Sequence, residues 1–114
     1  MTDPLATDWF IVEVQWRGLH DEPLYHLSGL AAKHPDIADG HRFFSSPLQW
    51  LDRTNQQAQT LNTVYRLGAE IGPGEVREIA YQRINDHVAG LWNPPLWTRL
   101  VLTIPRSLEI RNRI

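Results

Sequence analysis

Four side chains close together in the chain have the chemistry of metal ligands: His34, Asp36, Asp39 and His41. Imidazole and carboxylate form a legitimate donor set for zinc, manganese or iron. Their pattern, H-x-D-x-x-D-x-H, matches no motif with a defined geometry, unlike H-E-x-x-H. The same residues also describe a turn. Pro35 stiffens the segment, and Asp39-Gly40 is a hairpin dipeptide. The turn is the favoured reading. A metal-dependent enzyme or sensor at this loop is kept as a further alternative, with His34, Asp36, Asp39 and His41 as its candidate ligands.

A second group suits recognition rather than catalysis. Trp92 and Trp97 flank Asn93-Pro94-Pro95, and Arg99 follows in the same strand-like run. Tryptophan and arginine are favoured anchors of protein interfaces. Trp92, Trp97 and Arg99, with Arg111 and Arg113 in the tail, are the candidate protein-interaction residues. The competing expectation is that helix and strand fold over the two indoles and bury them.

The C-terminal arginines also allow a nucleic-acid-associated module, the first alternative. It requires Arg66, Arg77, Arg83, Arg99, Arg106, Arg111 and Arg113 to share a surface. The net charge of −2 disfavours it, since such modules are usually basic. Catalytic signatures are missing from the sequence. Ser45-Ser46 lacks the G-x-S-x-G elbow, and neither a Walker loop nor G-x-G-x-x-G is present. No catalytic residue and no cofactor is expected. His87, beside an apolar helix stripe, reads as a partly buried core histidine, which the adjacent Asp86 does not orient.

These groups must be positioned by a small, strand-rich domain. In residues 9–16, Phe10, Val12, Val14 and Trp16 alternate with Trp9, Ile11, Glu13 and Gln15. The first set predicts a core face and the second a face that becomes solvated. Further strands are predicted at 24–30, 42–51, 57–68 and 96–104. Pro47 belongs at an edge or a bulge, and an unpaired edge near it, or in the tail, would suit a homodimer. In the fourth strand Leu61, Thr63, Tyr65 and Leu67 share a face. In the fifth, Leu96, Leu100, Leu102 and Ile104 point inward. Between them, Val76, Ile79, Ala80, Ile84 and Val88 recur at helical spacing, so one helix is predicted from 75 to about 88, with Gly90 as its stop.

The expected fold is therefore α+β. It is a small, strongly bent antiparallel sheet or partly open β-barrel of five to six strands, with one helix after the fourth strand. At 114 residues the chain is one domain, 1–114, with 1–7 and 106–114 as candidate flexible ends. The absence of cysteine removes disulfides, thiolate metal sites and thiol nucleophiles together. The polar start and the lack of a long apolar run predict a cytoplasmic protein without a membrane span. Charge is uneven: residues 1–60 carry four basic and eight acidic side chains, and residues 61–114 carry seven and five.

His34-Pro35, Asp39-Gly40, Ser46-Pro47 and Thr63-Val64-Tyr65-Arg66-Leu67-Gly68 together resemble a loose family of short bacterial proteins of unknown function. In these an H-P…D-G turn, an S-P strand and a T-x-Y-x-L-G strand recur. The likeness covers about a third of the chain. It implies a bacterial, β-rich protein and brings no catalytic residues or cofactor. The resulting expectation is a non-enzymatic binding protein whose partner is another protein. An origin on a mobile element or phage, acting on a host complex, fits that expectation.

Overall fold

A computed structural model describes residues 3–17, 22–71, 82, 84–87, 89, 91, 95–101 and 104–109. Six strands follow one another: β1 (Leu5–Gln15), β2 (Leu24–Ala32), β3 (Arg42–Asp52), β4 (Gln57–Thr60), β5 (Val64–Leu67) and β6 (Trp97–Val101). They make one sheet in the order β2-β3-β4-β5-β1-β6, and β2 pairs with β1 as well. The first five strands thus form a ring, with β6 attached outside it. The ring is not a regular barrel, because β5 meets β1 through only two residue pairs, and in parallel. Helical residues among those described are Gln82, residues 84–87 and Ala89. The domain is mostly β, so the α+β label fits loosely.

β1 organises everything else. One edge pairs antiparallel with β2, from Leu5 opposite Ala32 to Val14 opposite Leu24. The other edge is shared. β5 takes Leu5 and Ala6, residues 68–71 run beside Trp9, and β6 takes residues 11–15. Residues 5–7, read from sequence as part of a flexible end, are therefore strand.

Both faces of β1 are buried, which corrects the expected half-solvated strand. Trp9 and Ile11 point into the ring with Leu27, Phe43, Leu51 and Tyr65. Phe10, Val12 and Val14 form a second core with Ile71 and the helix residue Ile84, with Trp16 and Phe44 packed against it. Alternation along one strand cannot reveal a second covering layer. Trp9, on the face predicted to become solvated, is 3% exposed and donates its indole N–H to the Gly68 carbonyl at 3.0 Å. Trp16, on the predicted core face, is half-buried.

The predicted fourth strand is two strands. A turn at residues 61–63 leaves Leu61 exposed and sends Tyr65 and Leu67 inward. Thr60 N–H and Oγ1–H both donate to the Thr63 carbonyl, at 2.9 and 3.2 Å. The helix accordingly follows the fifth strand. Of its predicted stripe, Val76, Ile79, Ala80 and Val88 lie outside the described residues, and Ile84 is buried. Pro47 sits at a bulge of an interior strand, so no edge runs beside it. The turn after β3 is closed by Asp52, whose carboxylate accepts from Asn55 N at 3.0 Å and Nδ2 at 2.8 Å. The bond from the Asn55 backbone leads in holding the Asp52 carboxyl below its ordinary range.

Candidate protein-interaction surface

β6 carries Trp97 and Arg99 on one face, two residues apart, as strand alternation requires. Register sets what lies beneath them. Glu13 is directly opposite Arg99 on one side and directly opposite Tyr25 on the other. Tyr25, Glu13 and Arg99 therefore form one row across β2, β1 and β6. Glu13 is 5% exposed. Its Oε1 is ion-paired with Arg99, and its Oε2 accepts the Tyr25 hydroxyl at 2.6 Å. Burial, then the hydrogen bond to Glu13 and its charge, push the Tyr25 phenol up to about 12, with Arg99 opposing.

A buried carboxylate is costly without a countercharge and hydrogen bonds. Here both are supplied, so the Arg99 guanidinium is fixed even though its side chain is 63% exposed. It lies 5.8 Å from the centre of the Trp97 ring, within cation–π range. Trp97 is 43% exposed and Leu96 beside it 56%. The exposure of Leu96 corrects its expected inward position; Leu100 packs on the helix-side core and Ile104 against the ring interior. Of the five candidate interaction residues, Trp97 and Arg99 are brought together. Trp92, Arg111 and Arg113 lie outside the described residues, as does Leu102.

Sequence reasoning missed Glu13 and Tyr25. The available signal was a carboxylate following Trp9 and Ile11 on a single face. That was read as the face turning toward solvent, because no residue nearby in sequence supplies the countercharge.

The His/Asp loop is built by hydrogen bonds. Asp39 Oδ1 accepts Lys33 N–H at 2.7 Å, and Gly40, at φ 80°, donates to the Ala31 carbonyl. His34 Nδ1 accepts Asp36 N–H at 3.0 Å. The neutral ring then carries its proton on Nε2, 3.3 Å from the Tyr65 hydroxyl. His41 and Asp36 are exposed. Among the described residues, no three His, Asp or Glu side chains converge as a metal site. Among the described residues, the arginines of the nucleic-acid reading are Arg66, Arg99 and Arg106. Arg66 and Arg99 are on strands beside opposite ends of β1, and Arg77, Arg83, Arg111 and Arg113 lie outside the described residues.

A second polar cluster lies on the helix side of the sheet. His26, 4% exposed, donates Nδ1–H to the Ser45 carbonyl at 2.9 Å and accepts Trp16 Nε1–H on Nε2 at 3.0 Å. Indole is a donor only, so this arrangement requires a neutral imidazole. Phe44 lies between His26 and His87, stacked on His87 at 4.2 Å. Asp86 pairs with Arg42 at 3.2 Å instead of with His87. An open cleft of about 250 Å³ runs beside Phe44, His87 and that ion pair. Burial leads in lowering the pKa of both histidines.

The unfolded chain therefore takes up protons near pH 6.5 that the folded chain refuses. Stability is complete above that pH and falls as the pH drops toward the folded-state values. The slope is at most about 1.4 kcal/mol per pH unit for each histidine. Urea unfolding from pH 7.5 down to 5 measures it. His26→Phe should flatten the curve, and an unchanged slope in that variant would remove His26 as the cause.

No known protein family is matched by this chain, and no curated protein or solved structure is detectably similar to it.

Proposed function

We propose that the protein is a non-enzymatic binding protein that engages another protein through β6. The observation that carries this reading is a half-exposed Trp97 within cation–π range of an arginine that a buried carboxylate holds in place. Interface energy concentrates in a few aromatic and arginine anchors, and anchors already ordered before binding lose less entropy on association. Trp97 and Arg99 are such anchors, and Arg99 is held before binding by Glu13. The reading does not depend on Trp92, Arg111 or Arg113. The nucleic-acid alternative is weakened at Arg99, because its charge is already neutralised by Glu13.

Trp97→Ala should abolish capture of the partner from the native host at moderate salt, while the far-ultraviolet circular dichroism and urea midpoint stay near those of the native chain. A folded Trp97→Ala protein that captures the same partner at full yield would refute the reading. Loss of folding would instead place Trp97 among the residues that hold the domain together. Capture that disappears steeply with salt and is nuclease-sensitive would favour nucleic acid.

A further inference from the structure

Among the described residues, the ring leaves one strand with a single neighbouring strand. Each strand from β1 to β5 has at least two partners, whereas β6 pairs with β1 alone among the described residues. An open edge is a template for another strand unless it is blocked by lysine, proline, a bulge or a covering element. The one charged residue of β6, Arg99, is ion-paired with Glu13, the strand has no lysine or proline, and its register against β1 is regular. Leu96 and Trp97, two of the three exposed large apolar side chains among the described residues, sit at its start.

We infer that this edge pairs with β6 of a second copy, antiparallel about a two-fold axis through Thr98. The inference rests on reading β6 as an interaction surface, and it names the occupant. Register carries the argument. An axis through Arg99 would set the two guanidinium groups directly opposite each other, and like charges there destabilise a sheet. An axis through Thr98 sets Trp97 opposite Arg99 of the second copy, and Arg99 opposite Trp97 of the second copy. It is the only antiparallel self-register that does so. Threonine then faces threonine, a favourable cross-strand pair, and Leu96 faces Leu100. The patch is self-complementary, as a two-fold interface requires. Each indole meets the other copy's guanidinium as well as its own, while each arginine keeps its own Glu13. The product is one continuous sheet running β2-β1-β6-β6-β1-β2 across the pair.

The chain has no cysteine, so a single introduced thiol reports register cleanly. Directly opposite residues of an antiparallel pair have Cα atoms roughly 4.5–5.5 Å apart, within the span of a disulfide. The experiment is sedimentation of the full chain from low-micromolar to near-millimolar concentration, with mild oxidation of Thr98→Cys and, as control, of Ser107→Cys, an exposed position outside β6. The expected result is a monomer–dimer equilibrium, weakened about tenfold or more by Trp97→Ala, and a covalent dimer from Thr98→Cys but not from Ser107→Cys. A monomer at every concentration, or equal cross-linking at the two positions, overturns the proposal. A dimer indifferent to Trp97→Ala overturns the register and with it the proposal. A monomer whose Trp97→Ala variant still loses a different protein partner overturns the dimer alone and leaves the binding surface standing.

Discussion

Arg99→Ala lowers the stability of the domain by about 2–3 kcal/mol, more than an ordinary exposed arginine would cost. The damage is done at Glu13. Removing one member of a buried ion pair strands the other charge, a loss of about 3–5 kcal/mol when both are fully enclosed. Glu13 is enclosed and Arg99 is not, so water can enter where the guanidinium was and the expected loss falls below that range. Tyr25 still donates to Oε2, which also limits the damage. Arg99→Ala/Glu13→Leu should recover much of the loss, since an apolar residue needs no countercharge. Urea midpoints of the single and double variants form the test. An Arg99→Ala protein as stable as the native chain would show that the pair holds nothing, and that Arg99 is not fixed for recognition. The result also bears on any binding experiment: a defect in Arg99→Ala is interpretable only beside its stability.

Gly29→Ala costs about 2–3 kcal/mol, although it adds a single methyl group in a strand. A Cβ at Gly29 would lie 2.8 Å from the Thr7 carbonyl oxygen and 3.1 Å from the Trp9 Cα, and both are backbone atoms of the central strand. β1 bulges there, between Thr7 and Phe10, with Asp8 at φ 47°. This stretch is held between β2 on one side and residues 68–71 on the other, and the clash is with backbone, so it cannot be relieved by rotating a side chain. Moving it also moves Trp9, whose ring is in the inner core and whose N–H reaches Gly68. Gly68→Ala makes the comparison: its nearest contact is the Thr7 Cγ2 methyl at 3.1 Å, which can yield, so its loss should be clearly smaller. Chemical denaturation of both variants decides this. Equal losses would mean that the added methyl matters through strand propensity and not through the bulge.

Local structure was legible where local chemistry decides it. The strand that begins the fold, the Asp39-Gly40 turn and the proline at a bulge all depend on neighbours a few residues away, and all appear in the structure. Trp97 and Arg99 could be grouped for the same reason, since residues two apart in a strand share a face. The division between β4 and β5 was missed because Thr60, Leu61 and Thr63 also satisfy the pattern of a continuous strand.

By itself, then, the sequence determined a small strand-rich chain, the positions of most of its strands and turns, and a tryptophan–arginine pair on one face of the last strand. The tertiary structure alone decided that β1 is covered on both sides, that Trp9 is interior, and that β6 has one neighbouring strand among the described residues. It also decided that Glu13 is a buried countercharge to Arg99. The physical reason is the same in each case. These properties depend on which strand lies beside which, and in what register. Register is set by contacts between residues as distant in the chain as 13 and 99, whose spacing along the sequence carries no trace of their meeting.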